Sequence, residues 1–231
     1  TMSLFSFADA LFDNSGGLFD ISSGLLQRAW DFKAGLRPSP ASLARLCQRV
    51  GWQRVERTAS AVRLPVAGMA IDFGGFGKEY AADRAAALLA DMGAHHAHVN
   101  LAGDLSATGP KADGQPWLIG IAHPRQPNKL IATVPLSHGA LATSGDYERF
   151  FEQDGVRYCH VLDPRSGEPV TYWQSVSVIA PRSIAAGACA TIAMLKQAEG
   201  LAFLQQTGLG FLAIDQHGGI HQHMHQGNRD G

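Results

Sequence analysis

The sequence predicts an α+β fold, with a mixed, mostly antiparallel sheet and packed helices. Residues 4–14 and 184–197 carry apolar side chains at helical spacing. Residues 98–180, by contrast, contain short strand-like runs separated by turn residues, without the regular strand–helix alternation of a parallel sheet. Because no internal repeat or linker interrupts this pattern, we expect residues 1–231 to form a single domain.

The helices are predicted in chain order from their start and stop signals. The first helix, 4–14, should end at Gly16-Gly17, because glycine readily terminates a helix. The second helix, 40–50, follows Pro38-Ser-Pro-Ala-Ser, which supplies proline near the start and a serine N-cap. Further helices are expected at 79–92, 184–197 and, starting from Leu201, 201–206.

The strands are predicted from short apolar or alternating runs between these helices. We expect strands at 55–58, 61–64, 98–101, 117–122, 130–136, 139–144, 156–162, 175–180 and 210–215. Turns are expected at 103–109 and 163–167, where glycine, aspartate and proline concentrate. The histidine-rich segment 221–228 is interpreted as a frayed terminus, with a metal site as the alternative.

Composition excludes several classes of function. The 231 residues are 45% hydrophobic, and 19 basic residues against 20 acidic ones give a net charge of -1, so nucleic acid is not an expected partner. No apolar run reaches membrane-spanning length, and residues 1–5 carry no basic targeting signal. The three cysteines lack C-x-x-C spacing, which favours buried apolar roles over a disulfide framework or zinc site.

The most informative segment is Asp72-Phe-Gly-Gly-Phe-Gly-Lys78, a glycine-rich turn between a strand-like run and a helix. Its glycines leave room for peptide N–H groups to face an anion, and a helix starting near Lys78 adds its positive dipole end. The expected guest is a phosphate or pyrophosphate. The spacing fits neither the dinucleotide fingerprint nor the P-loop, and a plain strand-to-helix turn is the alternative.

Further motifs follow in a set order along the chain: Asn100-Leu-Ala-Gly-Asp104, Thr143-Ser-Gly-Asp-Tyr147 and His160-Val-Leu-Asp-Pro-Arg-Ser-Gly-Glu-Pro169. They are preceded by the glycine-rich turn with Asp83 and by Gly17-Leu-Phe-Asp-Ile-Ser-Ser-Gly-Leu-Leu26. In this order they resemble the ApbE family, the FAD:protein FMN transferases, over roughly residues 15–200. The resemblance implies a fold related to the T-fold.

The resemblance also implies a chemistry. Members of the family bind FAD with Mg²⁺, cleave its pyrophosphate and attach FMN through a phosphoester to a serine or threonine of a flavin-carrying redox protein. The implied compartment is the bacterial periplasm or the outer face of the inner membrane, although this chain shows no signal for it and membrane association would require an anchor absent from these residues. Matching positions imply these site residues: cofactor-binding Asp72, Lys78, Asp104 and Leu162, and metal-binding Gly75, through its carbonyl, and Thr191.

Two predicted site residues have alternative interpretations. His160 is the candidate general base, because a neutral imidazole can accept the proton of an incoming hydroxyl, whereas a histidine of the scaffold is the alternative. Asp104 is expected either to contact the nucleotide or to form an Asx-type turn that caps its own backbone. For Asp163, a turn-forming role is favoured over a catalytic one.

The metal site departs from the family pattern A-D-A-x-x-T. Here the segment reads Ala186-Gly-Ala-Cys-Ala-Thr191, so Gly187 stands where the metal carboxylate is expected. A carboxylate from elsewhere could compensate, and Asp72 is the candidate. The matching portion also begins close to residue 1, so most of the family's N-terminal region is expected to be missing. The alternative function is therefore a non-catalytic relative that binds FAD or a partner protein.

Overall fold

The structure, a computed structural model, describes residues 2–224. Its α-helices are α1 Met2–Ser15, α2 Pro40–Cys47, α3 Gly77–Asp91, α4 Ser183–Lys196 and α5 Gly200–Thr207. Short 3₁₀ helices cover Ser23–Ala29, Trp52–Arg54 and Gln197–Glu199. The strands are β1 Glu56–Arg57, β2 Val62–Arg63, β3 His98–Leu101, β4 Asp104–Ala107, β5 Trp117–Ala122, β6 Leu130–Leu136, β7 Gly139–Gly145, β8 Phe150–Gln153, β9 Val156–Cys159, β10 Trp173–Ala180, β11 Gly210–Asp215 and β12 Ile220–His223.

A six-stranded antiparallel sheet forms the centre of the fold, in the order β12-β11-β10-β7-β4-β3. Its middle strand β10 is an almost continuous buried run, with Val176 and Val178 fully enclosed. The remaining strands pair as three separate antiparallel hairpins, β1-β2, β5-β6 and β8-β9. This arrangement confirms the predicted α+β class with an antiparallel sheet.

Helices α3 and α4 lie side by side on this sheet. Helix α4 packs on β7 and β10, while α3 packs on β3, β4 and α4. Small buried residues form the facing surfaces, with Ala82 and Ala86 on α3 and Ala186, Gly187 and Ala190 on α4. Because these side chains are short, the two helix backbones can approach closely. At the junction between these helices, the first turn of α3 lies against Gly187 of α4.

The N-terminus of α3 is fixed by aromatic packing. Phe76, the residue before the helix, is 0% exposed and contacts Phe7, Phe19 and Phe73 edge-on or tilted. Its neighbour Gly77 begins the helix, as predicted from the glycine-rich turn. The turn therefore rests on a rigid aromatic cluster.

The structure differs from the prediction in three segments of the chain. Residues 103–109, expected to be a turn, contain β4, because pairing with β3 and β7 buries Asp104, Leu105 and Ser106. The strand β8 was not predicted, and it pairs with β9, which ends at Cys159 rather than at 162. Within 221–228, residues up to His223 belong to β12, so that part is not a frayed end, and 225–228 lie outside the described residues.

Candidate functional site

The glycine-rich turn uses its backbone donors internally. The Gly74 N–H donates to Asp72 Oδ1 at 2.7 Å, and the Gly77 N–H donates to the Phe73 carbonyl at 2.6 Å. The expectation that these amides face an anion is therefore wrong for both positions. Glycine is instead required by packing at Gly75, where a Cβ would lie 2.8 Å from Phe19 Cζ.

Lys78 projects from the first turn of α3 and forms an ion pair with Asp104. Asp104 is the first residue of β4, is 2% exposed, and accepts a second hydrogen bond from the Thr143 N–H at 3.2 Å. The Asx-type turn predicted for this segment is formed by Asn100, whose side-chain oxygen accepts from the Gly103 N–H at 2.9 Å. The Asx interpretation of Asp104 is consequently wrong, and its carboxylate is free to hold Lys78 in place.

Glu79, the next residue on α3, points into the junction with α4 and is only 6% exposed. A Cβ built on Gly187 would lie 2.7 Å from Glu79 Cγ and 2.8 Å from its Oε1. Glycine at 187 is thus the residue that leaves space for this side chain. The carboxylate lying against Gly187 belongs to Glu79 and not to Asp72, which was the expected candidate.

The electrostatics of Glu79 follow from its surroundings. Burial, together with the neighbouring carboxyl group of Asp104, raises the pKa of Glu79 to about 7, although the ammonium of Lys78 opposes the shift. The Lys78 Nζ lies 3.7 Å from Glu79 Oε1. As a carboxylate, Glu79 Oε2 is buried and has no donor among residues 2–224. Two buried carboxylates here share one ammonium, and the pair needs a further positive charge or a proton.

Hydroxyl groups line the same junction, one helical turn further along α4. Thr191 Oγ1 lies 2.7 Å from Ser144 Oγ on β7, and neighbouring Thr143 Oγ1 lies 2.7 Å from Ser177 Oγ. Because Thr191 follows Gly187 by four residues, both lie on one face of α4. We call the space bordered by Lys78, Glu79, Asp104, Gly187 and Thr191 the α3–α4 groove.

His160 lies elsewhere, just after β9. Its backbone N–H donates to the Arg149 carbonyl at 3.0 Å, and its carbonyl accepts from the Gln27 side chain. The ring Nδ1 is buried and has no hydrogen-bond partner among residues 2–224. Burial and the charge of Arg149 together lower the pKa of His160 to about 4, so the imidazole is neutral near pH 7.

Leu162 lies beside His160 in an apolar cluster. It is 8% exposed and packs with Leu25, Leu26 and Trp30, while Tyr158 stacks on Trp30 at 5.8 Å between ring centroids. We call this region, with His160 at its border, the Leu162 edge. The Asp163 turn that follows is confirmed, because the Asp163 carbonyl accepts from the Gly167 N–H at 2.7 Å.

The 3₁₀ segment Ser23–Ala29 connects the glycine-rich turn to the Leu162 edge. A Cβ on Gly24 would lie 2.2 Å from Asp72 Cβ, so this glycine lets the segment pack directly on the turn. From the same segment, Gln27 bonds to His160 and Leu26 packs in the Leu162 edge. The structure thereby joins Lys78, Asp104 and Thr191 in one groove, and links Asp72 with His160 and Leu162 through the 3₁₀ segment.

Sequence reasoning missed the roles of two acidic residues. Asp83, included in the glycine-rich motif, accepts the backbone N–H groups of Ser183 at 2.8 Å and Ile184 at 3.0 Å, which caps α4. Glu79 was not singled out at all. The sequence does contain a signal for Glu79, namely a glutamate next to Lys78 together with a glycine at position 187. Only the packing of α3 on α4 shows that these two residues are in contact.

The oxygen donors of the groove fit a hard divalent cation. Carboxylates and hydroxyls are the ligands that Mg²⁺ prefers, and the buried Glu79 Oε2 lacks a donor. No group of three His, Cys, Asp or Glu side chains suited to a metal occurs within residues 2–224, so such a cation would need hydroxyl, carbonyl or ligand oxygens as well. A cavity of about 450 Å³ between α5 and β12, lined by Leu201, Gln205, Phe211, His221, Gln222 and His223, includes none of the predicted site residues.

Comparisons with known proteins identify the family of this chain. The model of the ApbE family matches residues 1–213. The chain belongs to the ApbE family. The structure of the ApbE protein from Thermotoga maritima superposes with a TM-score of 0.86 at 33% identity, covering 95% of this chain and 74% of that one. The flavin transferase ApbE from Vibrio cholerae superposes with a TM-score of 0.84 at 25% identity, covering 96% of this chain and 74% of that one.

Curated relatives carry the name FAD:protein FMN transferase. The protein from Treponema pallidum is 36% identical over 198 residues, which is 78% of this chain and 55% of the relative. The protein from Salmonella typhimurium is 32% identical over 180 residues, which is 74% of this chain and 51% of the relative. This ApbE family chain therefore spans about half the length of the curated relatives it matches, which is consistent with the expected shorter match. No helix within residues 2–224 is long and apolar enough to cross a membrane.

Proposed function

We propose that this ApbE family chain is an FAD:protein FMN transferase that requires Mg²⁺. The observation that carries the proposal is the Lys78–Asp104 ion pair at the N-terminus of α3, within the α3–α4 groove. A lysine fixed at a helix N-terminus places positive charge where an anion can approach. The names of the curated relatives from Treponema pallidum and Salmonella typhimurium support FAD and a protein acceptor as the two substrates.

The proposed orientation of FAD follows from the two ends of the site. The pyrophosphate lies at the start of α3, next to the positively charged ammonium of Lys78. The rest of the cofactor extends past Asp72 toward Leu162, along the 3₁₀ segment that contacts both. Apolar packing around Leu162 offers the kind of surface that an aromatic ring system covers.

Charge in the groove favours a divalent cation. The carboxylates of Asp104 and Glu79 outnumber the single ammonium of Lys78, so a pyrophosphate would meet net negative charge. Thr191, and the carbonyl of Gly75 from the turn, are proposed to hold Mg²⁺ with oxygen ligands from FAD. When bound, this cation would offset the charge that builds on the leaving phosphate.

The proposed reaction is a phosphoryl-type transfer to a hydroxyl. The serine or threonine oxygen of the acceptor bonds to the FMN phosphorus, and the bond from that phosphorus to the bridging oxygen breaks, releasing AMP. His160 is proposed to accept the hydroxyl proton, since its ring is neutral and its buried Nδ1 has no hydrogen-bond partner among residues 2–224. Lys78 stabilises the AMP phosphate as it leaves.

The acceptor is proposed to be a flavin-carrying redox protein, in line with the resemblance that the motifs show. The proposed compartment is the periplasm or the outer face of the inner membrane, where such acceptors meet the enzyme. Expression with and without an export signal, followed by detection of flavin covalently bound to cellular proteins, tests this location. Flavinylation that occurs only with cytoplasmic enzyme would contradict it.

Titration of the purified chain with FAD, with and without Mg²⁺, tests the proposed function. Flavin fluorescence reports binding, and chromatography of the products reports AMP. Mg²⁺-dependent binding followed by AMP release, with FMN recovered covalently bound to an added redox protein, supports a transferase, whereas AMP with free FMN indicates hydrolysis of FAD. Recovery of intact FAD at millimolar Mg²⁺, with a flavin-carrying redox protein added as acceptor, contradicts it and favours a relative that only binds flavin, whereas absence of FAD binding excludes both functions.

A further inference from the structure

We propose that Glu79 supplies the metal carboxylate that residue 187 does not, so that the cation in the α3–α4 groove is held from α3 rather than from α4. The inference rests on the proposed function for the identity of the cation. In the ApbE pattern the metal carboxylate stands at the position of residue 187, and Glu79 is not part of that pattern. Its basis is the position of Glu79 against Gly187.

The steric relation between these residues is reciprocal. A Cβ on Gly187 would lie 2.7 Å from Glu79 Cγ, 2.8 Å from Oε1 and 3.0 Å from Cδ. Real Cβ atoms do not approach other atoms so closely, so a side chain at 187 and the present position of Glu79 exclude one another. The carboxyl group of Glu79 therefore occupies the space next to residue 187 from the opposite helix.

The burial of Glu79 requires a positive partner. The side chain is 6% exposed, and its Oε2 has no donor among residues 2–224 although it is fully buried. A buried carboxylate without a donor destabilises the fold unless a cation or a proton compensates its charge. Lys78 is already paired with Asp104 and lies 3.7 Å from the other oxygen of Glu79.

Neighbouring oxygens complete a set suited to a hard cation. Thr191 lies on the face of α4 that carries Gly187, and its hydroxyl contacts Ser144 at 2.7 Å. Asp104 and Glu79 both border the ammonium of Lys78, which pairs with Asp104 and lies 3.7 Å from Glu79 Oε1. Asp72, in contrast, directs Oδ1 to the Gly74 N–H at 2.7 Å and packs its Cβ against Gly24. Within the described residues 2–224, Glu79 Oε2 is thus the carboxylate oxygen of the groove that has no hydrogen-bond donor.

Binding of Mn²⁺ in the presence of ADP tests the inference independently of turnover. ADP carries the adenosine and pyrophosphate but no flavin to transfer, and free Mn²⁺ is counted by its electron paramagnetic resonance signal. Glu79→Gln, which keeps the shape and removes the charge, should weaken Mn²⁺ binding about 10-fold or more. Asp91→Asn, at the exposed last residue of α3, is the matched control and should bind as the unmodified chain does.

A double variant moves the carboxylate back to α4. Glu79→Gly with Gly187→Asp removes the crowding and should restore Mn²⁺ binding to within about three-fold of the unmodified chain, whereas Gly187→Asp alone should not improve it. Thermal melting checks that each variant folds. If the double variant fails to fold, Glu79→Gln still decides the matter.

Two results would overturn the inference: Glu79→Gln that binds Mn²⁺ as tightly as the unmodified chain, or an unmodified chain that binds no Mn²⁺ with ADP at millimolar concentration. Release of AMP from FAD is measured separately on the same preparations, with a flavin-carrying redox protein added as acceptor. Glu79-dependent Mn²⁺ binding without AMP release would support this inference and contradict the proposed function. AMP release that persists in Glu79→Gln with unchanged Mn²⁺ binding would do the reverse.

Discussion

The α3–α4 groove and the Leu162 edge respond to burial in opposite ways. In the groove, burial raises the pKa of Glu79 to about 7, and at the edge burial lowers the pKa of His160 to about 4. Both shifts favour the uncharged form of the side chain. The groove nevertheless keeps a fixed ammonium beside its carboxylates, whereas the nearest charge that acts on His160 is the like charge of Arg149.

The two regions therefore suit different kinds of chemical group. The groove combines carboxylates, an ammonium and hydroxyls, so charged ligands can replace the missing partner of Glu79. The edge consists of close-packed apolar side chains around Leu162 and Trp30, with a neutral imidazole at its border. A dinucleotide has a charged centre and aromatic ends. The charged centre matches the groove, and an aromatic end matches the Leu162 edge.

The largest expected effect comes from removing the ammonium of the groove. Lys78→Ala leaves Asp104 and Glu79 without their cation, and we expect Mg²⁺-dependent AMP release from FAD to fall about 100-fold or more. Lys129→Ala, at an exposed position in the β5-β6 connection, should retain the rate. An unchanged rate in Lys78→Ala would break the assignment of the groove to the pyrophosphate.

Truncation at the Leu162 edge should act on stability. Leu162→Ala removes a side chain that is 8% exposed, and we expect the free energy of unfolding in urea to fall by about 2–5 kcal/mol. Leu88→Ala on α3, where the side chain is 59% exposed, is the control and should change it by less than about 0.5 kcal/mol. Equal losses in the two variants would show that the edge is not a packed cluster.

Acid should destabilise the protein through His160. Its pKa is about 4 in the fold against an ordinary 6.5, so the unfolded chain takes up the proton first as the pH falls. The stabilisation is fully present above pH 6.5 and is lost toward pH 4, by up to about 3 kcal/mol.

Urea unfolding of His160→Asn and the unmodified chain at several pH values measures this contribution. The difference between the two free energies should shrink or change sign as the pH falls from 7 to about 4.5. His138→Asn, at an exposed position, should show a pH dependence parallel to that of the unmodified chain. A parallel profile for His160→Asn as well would contradict a depressed histidine pKa at the edge.

The smallest expected effect sharpens the steric account of the groove. Alanine normally stabilises a helix relative to glycine by about 1 kcal/mol. Gly187→Ala, however, places a Cβ 2.7 Å from Glu79 Cγ, and we expect it to lower the free energy of unfolding by about 1–3 kcal/mol. The same substitution in a Glu79→Ala background should cost little. Additive effects in this double-mutant cycle, measured by urea unfolding, would show that residues 79 and 187 do not compete for space.

Local signals predicted much of the fold. The glycine-rich turn, the start of α3 near Lys78, the helix at 184–197 and the turn at 163–167 are all confirmed. Strand β4 was missed because Asp104 and Ser106 have low strand propensity, and its formation depends on pairing with β3 and β7. Propensity describes a segment by itself, whereas a strand exists only with its neighbours.

The site divides in the same way. Family membership was predicted from ordered motifs and is confirmed, whereas the roles of Lys78, Asp104 and Thr191 stay predictions. The residues chosen for cofactor contact, metal binding and proton transfer stay predictions, since ligand contacts require the ligand.

The sequence by itself determined where the chain turns, where its helices begin and to which family it belongs, because these properties depend on residues close together in the chain or on motifs in a set order. Only the tertiary structure decided that Glu79 fills the space beside Gly187 and that the turn amides are used internally. The contact between Glu79 and Gly187 arises when α3 packs on α4. The turn amides bond to Asp72 and Phe73 because the folded turn brings these acceptors close. Close packing of distant segments chooses between such alternatives, and no local pattern records the choice.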